Sequence, residues 1–174
     1  MKKLFPVLTV IIFILFGCKN NKAETILKEQ EARSEIEESN MDLVKKLLME
    51  GDNKNVAFLD EICAPDYKYY FPSNNTPLNL EEHKQFWKSV NQAFPDLTHE
   101  IREIYAIDEI VVVLSMVRGT HVEAFAGIMP TNKTVEISQI FICRIENNKL
   151  VEFREEADVL GLYQQLGMEL KGKE

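Results

Sequence analysis

The chain has 174 residues, enough for one domain of ordinary size and too few for two well-cored ones. It is 45% hydrophobic and 28% charged with only 7 Gly and 6 Pro, which excludes a disordered, collagen-like or polytopic membrane protein. A net charge of −8 repels phosphate backbones, so no nucleic-acid partner is expected, and 3 Cys and 3 His are too few for a disulfide scaffold and leave little for a metal site.

The amino terminus reads as an address. Lys2 and Lys3 supply positive charge, and Leu4 to Phe16 is a nearly unbroken apolar run of 13 residues. That is signal-peptide length, whereas a spanning helix needs about 20 residues. The run ends in Leu15-Phe16-Gly17-Cys18 and meets a polar stretch at once, a pattern that resembles a bacterial lipobox. The resemblance implies cleavage after residue 17, acylation of Cys18 and attachment to a bilayer of the bacterial cell envelope, facing the periplasm or the exterior. Several acyl chains together hold a protein firmly to a bilayer. The alternative is an ordinary secretory signal with an incidental Cys. Residues 18–38 read as a polar tether and the start of a first helix, residues 39–167 as the domain, and residues 168–174 as a tail. Cys63 and Cys143 each lie in an apolar stretch, which favours two buried free thiols over a pair.

Within the domain, Leu43, Val44, Leu47 and Leu48 fall at helical spacing over Met41–Met49, with Gly51 as a stop. Asp52 and Asn53 can cap a second helix through Val56, Leu59 and Ile62, ended at Ala64-Pro65. Tyr67–Phe71 reads as a short aromatic strand. Asn79 or Asn75 can open the next helix, which sets Leu80, His83, Phe86, Trp87, Val90 and Phe94 on one side. From Leu97 the period becomes two, and strands are expected over Thr98–Ile107, Ile110–Phe125, Thr134–Ile145 and Leu150–Asp158. Asp108-Glu109 and Asn147-Asn148 supply tight turns, and a last helix runs from Val159 to Leu166 with Gly167 at its end. Helices ahead of an antiparallel meander make an α+β fold.

Strand parity picks out polar groups among apolar ones. Val151, Phe153, Glu155, Ala157 and Val159 share the apolar face of the last strand, with Glu155 in its middle. Val135, Ile137, Gln139, Phe141, Cys143 and Ile145 share a face of the strand before it, where Gln139 is the polar exception. A carboxylate in an apolar setting needs a partner, a raised pKa or a wet cavity, and each suits a pocket for proton transfer. The alternatives are a bulge that turns Glu155 to solvent, or a structural pair with Arg144 or Arg154. His121 is either a cavity acid or base or a hydrogen-bonded sheet histidine. His83, beside Glu81 and Glu82, and His99, beside Glu100, read as surface or boundary residues. None of the three histidines has ligand spacing, so no metal is expected. Tyr69, Phe71, Trp87, Phe125, Phe141 and Phe153 are candidates to wall a pocket for a small apolar or aromatic ligand.

Asn91-Gln-Ala-Phe-Pro-Asp-Leu97, Gly119-Thr-His121 and Phe125-Ala-Gly-Ile-Met-Pro-Thr131, followed by Arg144 to Glu152 and Asp158 to Gly167, resemble the SnoaL-like polyketide cyclase (ester cyclase) family over about Met41 to Gly167. The resemblance implies the cone-shaped α+β barrel of the nuclear transport factor 2 superfamily: three N-terminal helices on a strongly curved antiparallel sheet around a deep pocket, often dimeric. It implies aldol-type cyclisation or isomerisation without metal or cofactor, with a final-strand carboxylate, here Glu155, as acid/base. His121 or Gln139 would assist. Arg154 stands where the family commonly has Trp, and Gln139 and Phe141 lie where it has a His. The alternative function is a non-catalytic ligand-binding or dimeric scaffold lipoprotein.

Overall fold

A computed structural model describes residues 7–72, 76–169 and 171–172, with side chains from residue 22 onward. Lys2, Lys3, the Cys18 side chain and Asn75, on which expectations above rest, lie outside what is described. The chain divides after Ile36 into two compact units. In the first unit the described side chains are solvent-exposed and include a Glu24–Lys28 ion pair at 3.2 Å, one helical turn apart. Helix α1 is assigned over Val7–Asp52, far longer than the Met41–Met49 segment that apolar periodicity marks. The polar stretch after Cys18 is rich in Lys, Ala, Glu, Gln and Arg, which are strong helix formers whatever their charge. Among the described residues, no helix is long and apolar enough to cross a membrane.

The second unit, from Glu37, is an α+β fold. A short helix α2 (Phe58–Ile62) leads straight into strand β1 (Cys63–Tyr70), and helix α3 (Leu80–Ala93) follows. Asn79 opens α3 with a full capping box: its side chain accepts from the Glu82 N–H, and the Glu82 carboxylate accepts from the Asn79 N–H. Strands β2 (Thr98–Ile107), β3 (Ile110–Thr120), β4 (Thr134–Glu146) and β5 (Lys149–Ala157) form the meander, and helix α4 (Val159–Leu166) ends it. Gly167 closes α4 in the left-handed region at φ 101°. Asn147 and Asn148 both take positive φ, as a two-residue hairpin turn between twisted strands requires.

The five strands make one curved sheet in the order β1-β5-β4-β3-β2. The meander pairs are antiparallel, but β1 joins β5 in parallel, so the sheet is mixed. Pro65 does not end a helix, as its sequence context suggests. It sits in edge strand β1 where the register shifts, a place that tolerates a missing N–H. Strand β3 stops at Thr120, short of Phe125, because the Val122 N–H leaves the sheet to donate to the Ala93 carbonyl at the end of α3. The main core gathers Val44, Leu47 and Leu48 of α1, Leu59 and Ile62 of α2, and the inward residues of the sheet. Cys63 and Cys143 are both buried and free, and burial pushes the Cys63 thiol up to about 12, so it is inert near neutral pH.

Candidate functional site

Curvature leaves a cavity of about 510 Å³ between the sheet and the helices. Its walls are mostly apolar and include the rings of Phe71, Phe86, Trp87, Phe94, Phe141 and Phe153. Two glycines let the walls close up. A side chain at Gly51 would lie 3.1 Å from the Trp87 ring, and one at Gly119 would lie 3.2 Å from Phe94 and 3.3 Å from the Leu97 backbone.

Strand register sets the polar end. Phe141 pairs with Glu155 across β4 and β5, and Gln139 pairs with Ala157 two residues on, so Gln139, Phe141 and Glu155 share the inward face. Glu155 is only 8% exposed and lines the cavity. Both of its oxygens are engaged: Tyr69 Oη donates to Oε2 at 2.7 Å, and Gln139 Nε2 donates to Oε1 at 2.9 Å. Burial raises the Glu155 pKa, while the Tyr69 hydrogen bond and the nearby His99 work against that rise. The free oxygen of Gln139 is buried without a partner. Arg154 does not pair with Glu155. It binds Glu152 and lies over the Tyr70 ring at 3.8 Å.

The structure therefore brings Glu155, Gln139, Phe71, Trp87, Phe125, Phe141 and Phe153 to one cavity. Tyr69 and His121 are not part of its lining. Tyr69 is fully buried behind Glu155 and stacks on His83 with ring centroids 3.8 Å apart. His121 is also fully buried, stacked on Phe94, and its Nδ1 accepts from the Thr131 N–H at 3.3 Å. It lies one residue past the end of β3, as a buried, hydrogen-bonded histidine outside the cavity lining. His83 is not a surface residue: it has no exposed area, and its Nδ1 is 2.8 Å from Tyr67 Oη. Its membership of the apolar stripe of α3 was the signal for burial, and two adjacent glutamates obscured it.

Sequence reasoning missed one pair. His99, the second residue of β2, lines the cavity. Its backbone N–H donates to Asp52 Oδ2 at 3.0 Å, and its Nδ1 lies 2.6 Å from Asp52 Oδ1. Asp52 is the last residue of α1. The two are 47 positions apart, and no local pattern links them. Among the described residues no cluster of three or more His, Cys, Asp or Glu side chains could hold a metal ion.

A curved sheet closed by helices over an apolar cavity, with a buried carboxyl on its wall, fits the α+β architecture that the SnoaL-like resemblance implies. The family model for SnoaL-like polyketide cyclases matches residues 42–166, and the chain belongs to that family. Among solved structures it is similar to a candidate SnoaL-like polyketide cyclase from Jannaschia sp. CCS1, at 21% identity and a TM-score of 0.72, covering 78% of this chain and 96% of that one. It is also similar to IdmH, a candidate polyketide cyclase from Streptomyces antibioticus, at 25% identity and a TM-score of 0.67, covering 74% and 99%. A third, a candidate polyketide cyclase from Acidithiobacillus ferrooxidans, shares 26% identity with a TM-score of 0.65, covering 74% and 94%. No curated protein matches the chain.

Proposed function

We propose that this chain is a membrane-anchored SnoaL-like domain that takes a small, largely apolar carbonyl compound into its cavity and moves a proton on it with Glu155, as a cofactor-free cyclase or isomerase. One observation carries the reading: a carboxyl 8% exposed on the wall of an aromatic cavity, held by Tyr69 and Gln139. Low polarity strengthens a hydrogen bond from such a carboxyl to a carbonyl oxygen, and aromatic walls orient a flat ligand. The polyketide cyclases among the similar structures point to the same substrate class. Attachment through an acylated Cys18 is supported by the apolar run and the Gly17-Cys18 junction. A Cys18→Ser variant is expected to leave the membrane fraction and to lack acyl mass; retention in that fraction argues for an unlipidated anchor.

The chemistry is tested with 2-tetralone, a flat apolar ketone with exchangeable α-protons. The full chain in detergent is expected to speed deuterium exchange at these positions, read by proton NMR, and Glu155→Gln to lose about 100-fold or more. Exchange at the buffer rate with the wild type overturns the catalytic reading. A second reading, a dimeric scaffold, is favoured by Ile140 and Ile142, which stand 43% and 38% exposed on the outer sheet face. Concentration-dependent sedimentation that Ile142→Lys abolishes would support it.

A further inference from the structure

Asp52 and His99 are joined at two points, and both bonds end on the same carboxylate. An ionised carboxylate only accepts, so in the neutral ring the His99 proton sits on Nδ1 and Nε2 carries the lone pair. Nε2 has no hydrogen-bond partner among the described residues. The His99 side chain is 14% exposed and the Asp52 side chain 21%, which matches a pair on a cavity rim and not on an open surface. The imidazole packs 5.9 Å from the Phe141 ring, the residue that faces Glu155 across the β4–β5 ladder. One cavity thus holds a base-type nitrogen fixed by a third group and a buried carboxyl that already accepts at both oxygens. A ring nitrogen oriented by a third group, set in the same cavity as a carboxyl, is the arrangement that divides base and acid duties between two side chains.

The geometry points to His99, oriented by Asp52, as the group that removes the acidic C–H proton of a flat ketone or 1,3-dicarbonyl ligand, while Glu155 in its neutral form donates to the carbonyl oxygen. This rests on the acid–base reading of the cavity given above. In the forward step the C–H bond breaks and its proton goes to His99 Nε2. The C–H pair becomes the C=C of an enol, the carbonyl π pair moves to oxygen, and that oxygen takes the Glu155 proton. In the return step the enol O–H gives its proton back to Glu155. The C=C pair either takes a proton from His99, at the same α-carbon or at the γ-carbon of a conjugated C=C, or attacks a second carbonyl in the same molecule. In the second case the new alkoxide oxygen takes the His99 proton, a ring closes and the product is an isomer of the substrate. Burial raises the Glu155 pKa, which favours the neutral form this division needs. Asp52 touches no substrate atom and is a positioning residue.

The test uses the full chain in detergent, nitrogen-15 NMR of His99 and the 2-tetralone exchange assay. Binding is read separately from fluorescence of Trp87, the one tryptophan of the chain and a wall residue. The expected nitrogen-15 signature is a protonated Nδ1 and a bare Nε2, lost in Asp52→Asn. Exchange is expected to fall about 100-fold in His99→Gln and by a smaller factor in Asp52→Asn, with 2-tetralone still quenching Trp87 in both. A wild-type Nε2–H tautomer overturns the proposal without any variant. Loss of exchange in Glu155→Gln with a wild-type rate in His99→Gln overturns the dyad and leaves Glu155 standing. A wild type no faster than buffer overturns the acid–base reading and the dyad with it.

Discussion

Two histidines of this chain sit beside glutamates in sequence and meet opposite fates. His83 is fully buried, sandwiched between Tyr69 at 3.8 Å and the edge of Trp87 at 5.2 Å between ring centroids. Its hydrogen-bond partner is the neutral Tyr67 hydroxyl, its Nε2 is unsatisfied, and burial pushes its pKa down to about 3. His99 has a carboxylate on Nδ1 and a cavity in front of it. Burial among rings makes a neutral packing residue, whereas a carboxylate partner at a cavity wall fixes the orientation of an imidazole that still meets the cavity.

The largest expected effect comes from the inert member of the pair. A histidine whose folded pKa is depressed stabilises fully above its unfolded value and loses that contribution as pH falls. His83 should therefore cost the fold up to about 5 kcal/mol between pH 6.5 and 3, because each pH unit between the unfolded and folded values is worth about 1.36 kcal/mol. Urea unfolding at stepped pH measures this, and His83→Phe is expected to flatten the curve across that window. Next comes Tyr69→Phe, which strips a donor from a buried carboxyl and should cost about 2 kcal/mol at neutral pH. Glu155 has a raised folded pKa, so its neutral form stabilises at low pH and that contribution fades as pH rises. Loss of the Tyr69 donor raises the pKa further, so the Tyr69→Phe penalty should shrink towards pH 4. Asp52→Asn keeps one acceptor for His99 but loses the charge, with an expected cost of about 1 kcal/mol in the same assay. Gly51→Ala is the smallest, under about 1 kcal/mol, and should be read more clearly as a shift in Trp87 emission because the new methyl meets that ring.

Where function and fold depend on short-range pattern, the sequence was informative. Alternation placed Glu155 and Gln139 on the inward face, and the register confirms that they share it. Asn79 and Gly167 mark helix ends by chemistry that acts within three or four residues. Long-range geometry was not legible. The parallel docking of β1 on β5 joins Cys63 to Leu150 across the whole meander, and no local signal encodes such a pairing. Tyr69 reads as a wall aromatic by type, yet its hydroxyl spends itself on Glu155 from behind. Asp52 looks like a helix cap because it follows Gly51, but its carboxylate turns to a strand 47 residues on.

Acid–base chemistry in this cavity requires that Glu155 be a carboxyl set in apolar surroundings. Carbon-13 NMR titration of the full chain in detergent, with Glu155→Gln to assign the resonance, measures its ionisation directly. The expected result is a midpoint above the ordinary glutamate value of about 4.5, rising again in Tyr69→Phe. A midpoint at or below that value, unmoved by Tyr69→Phe, would place the carboxylate in water and contradict the acid–base site.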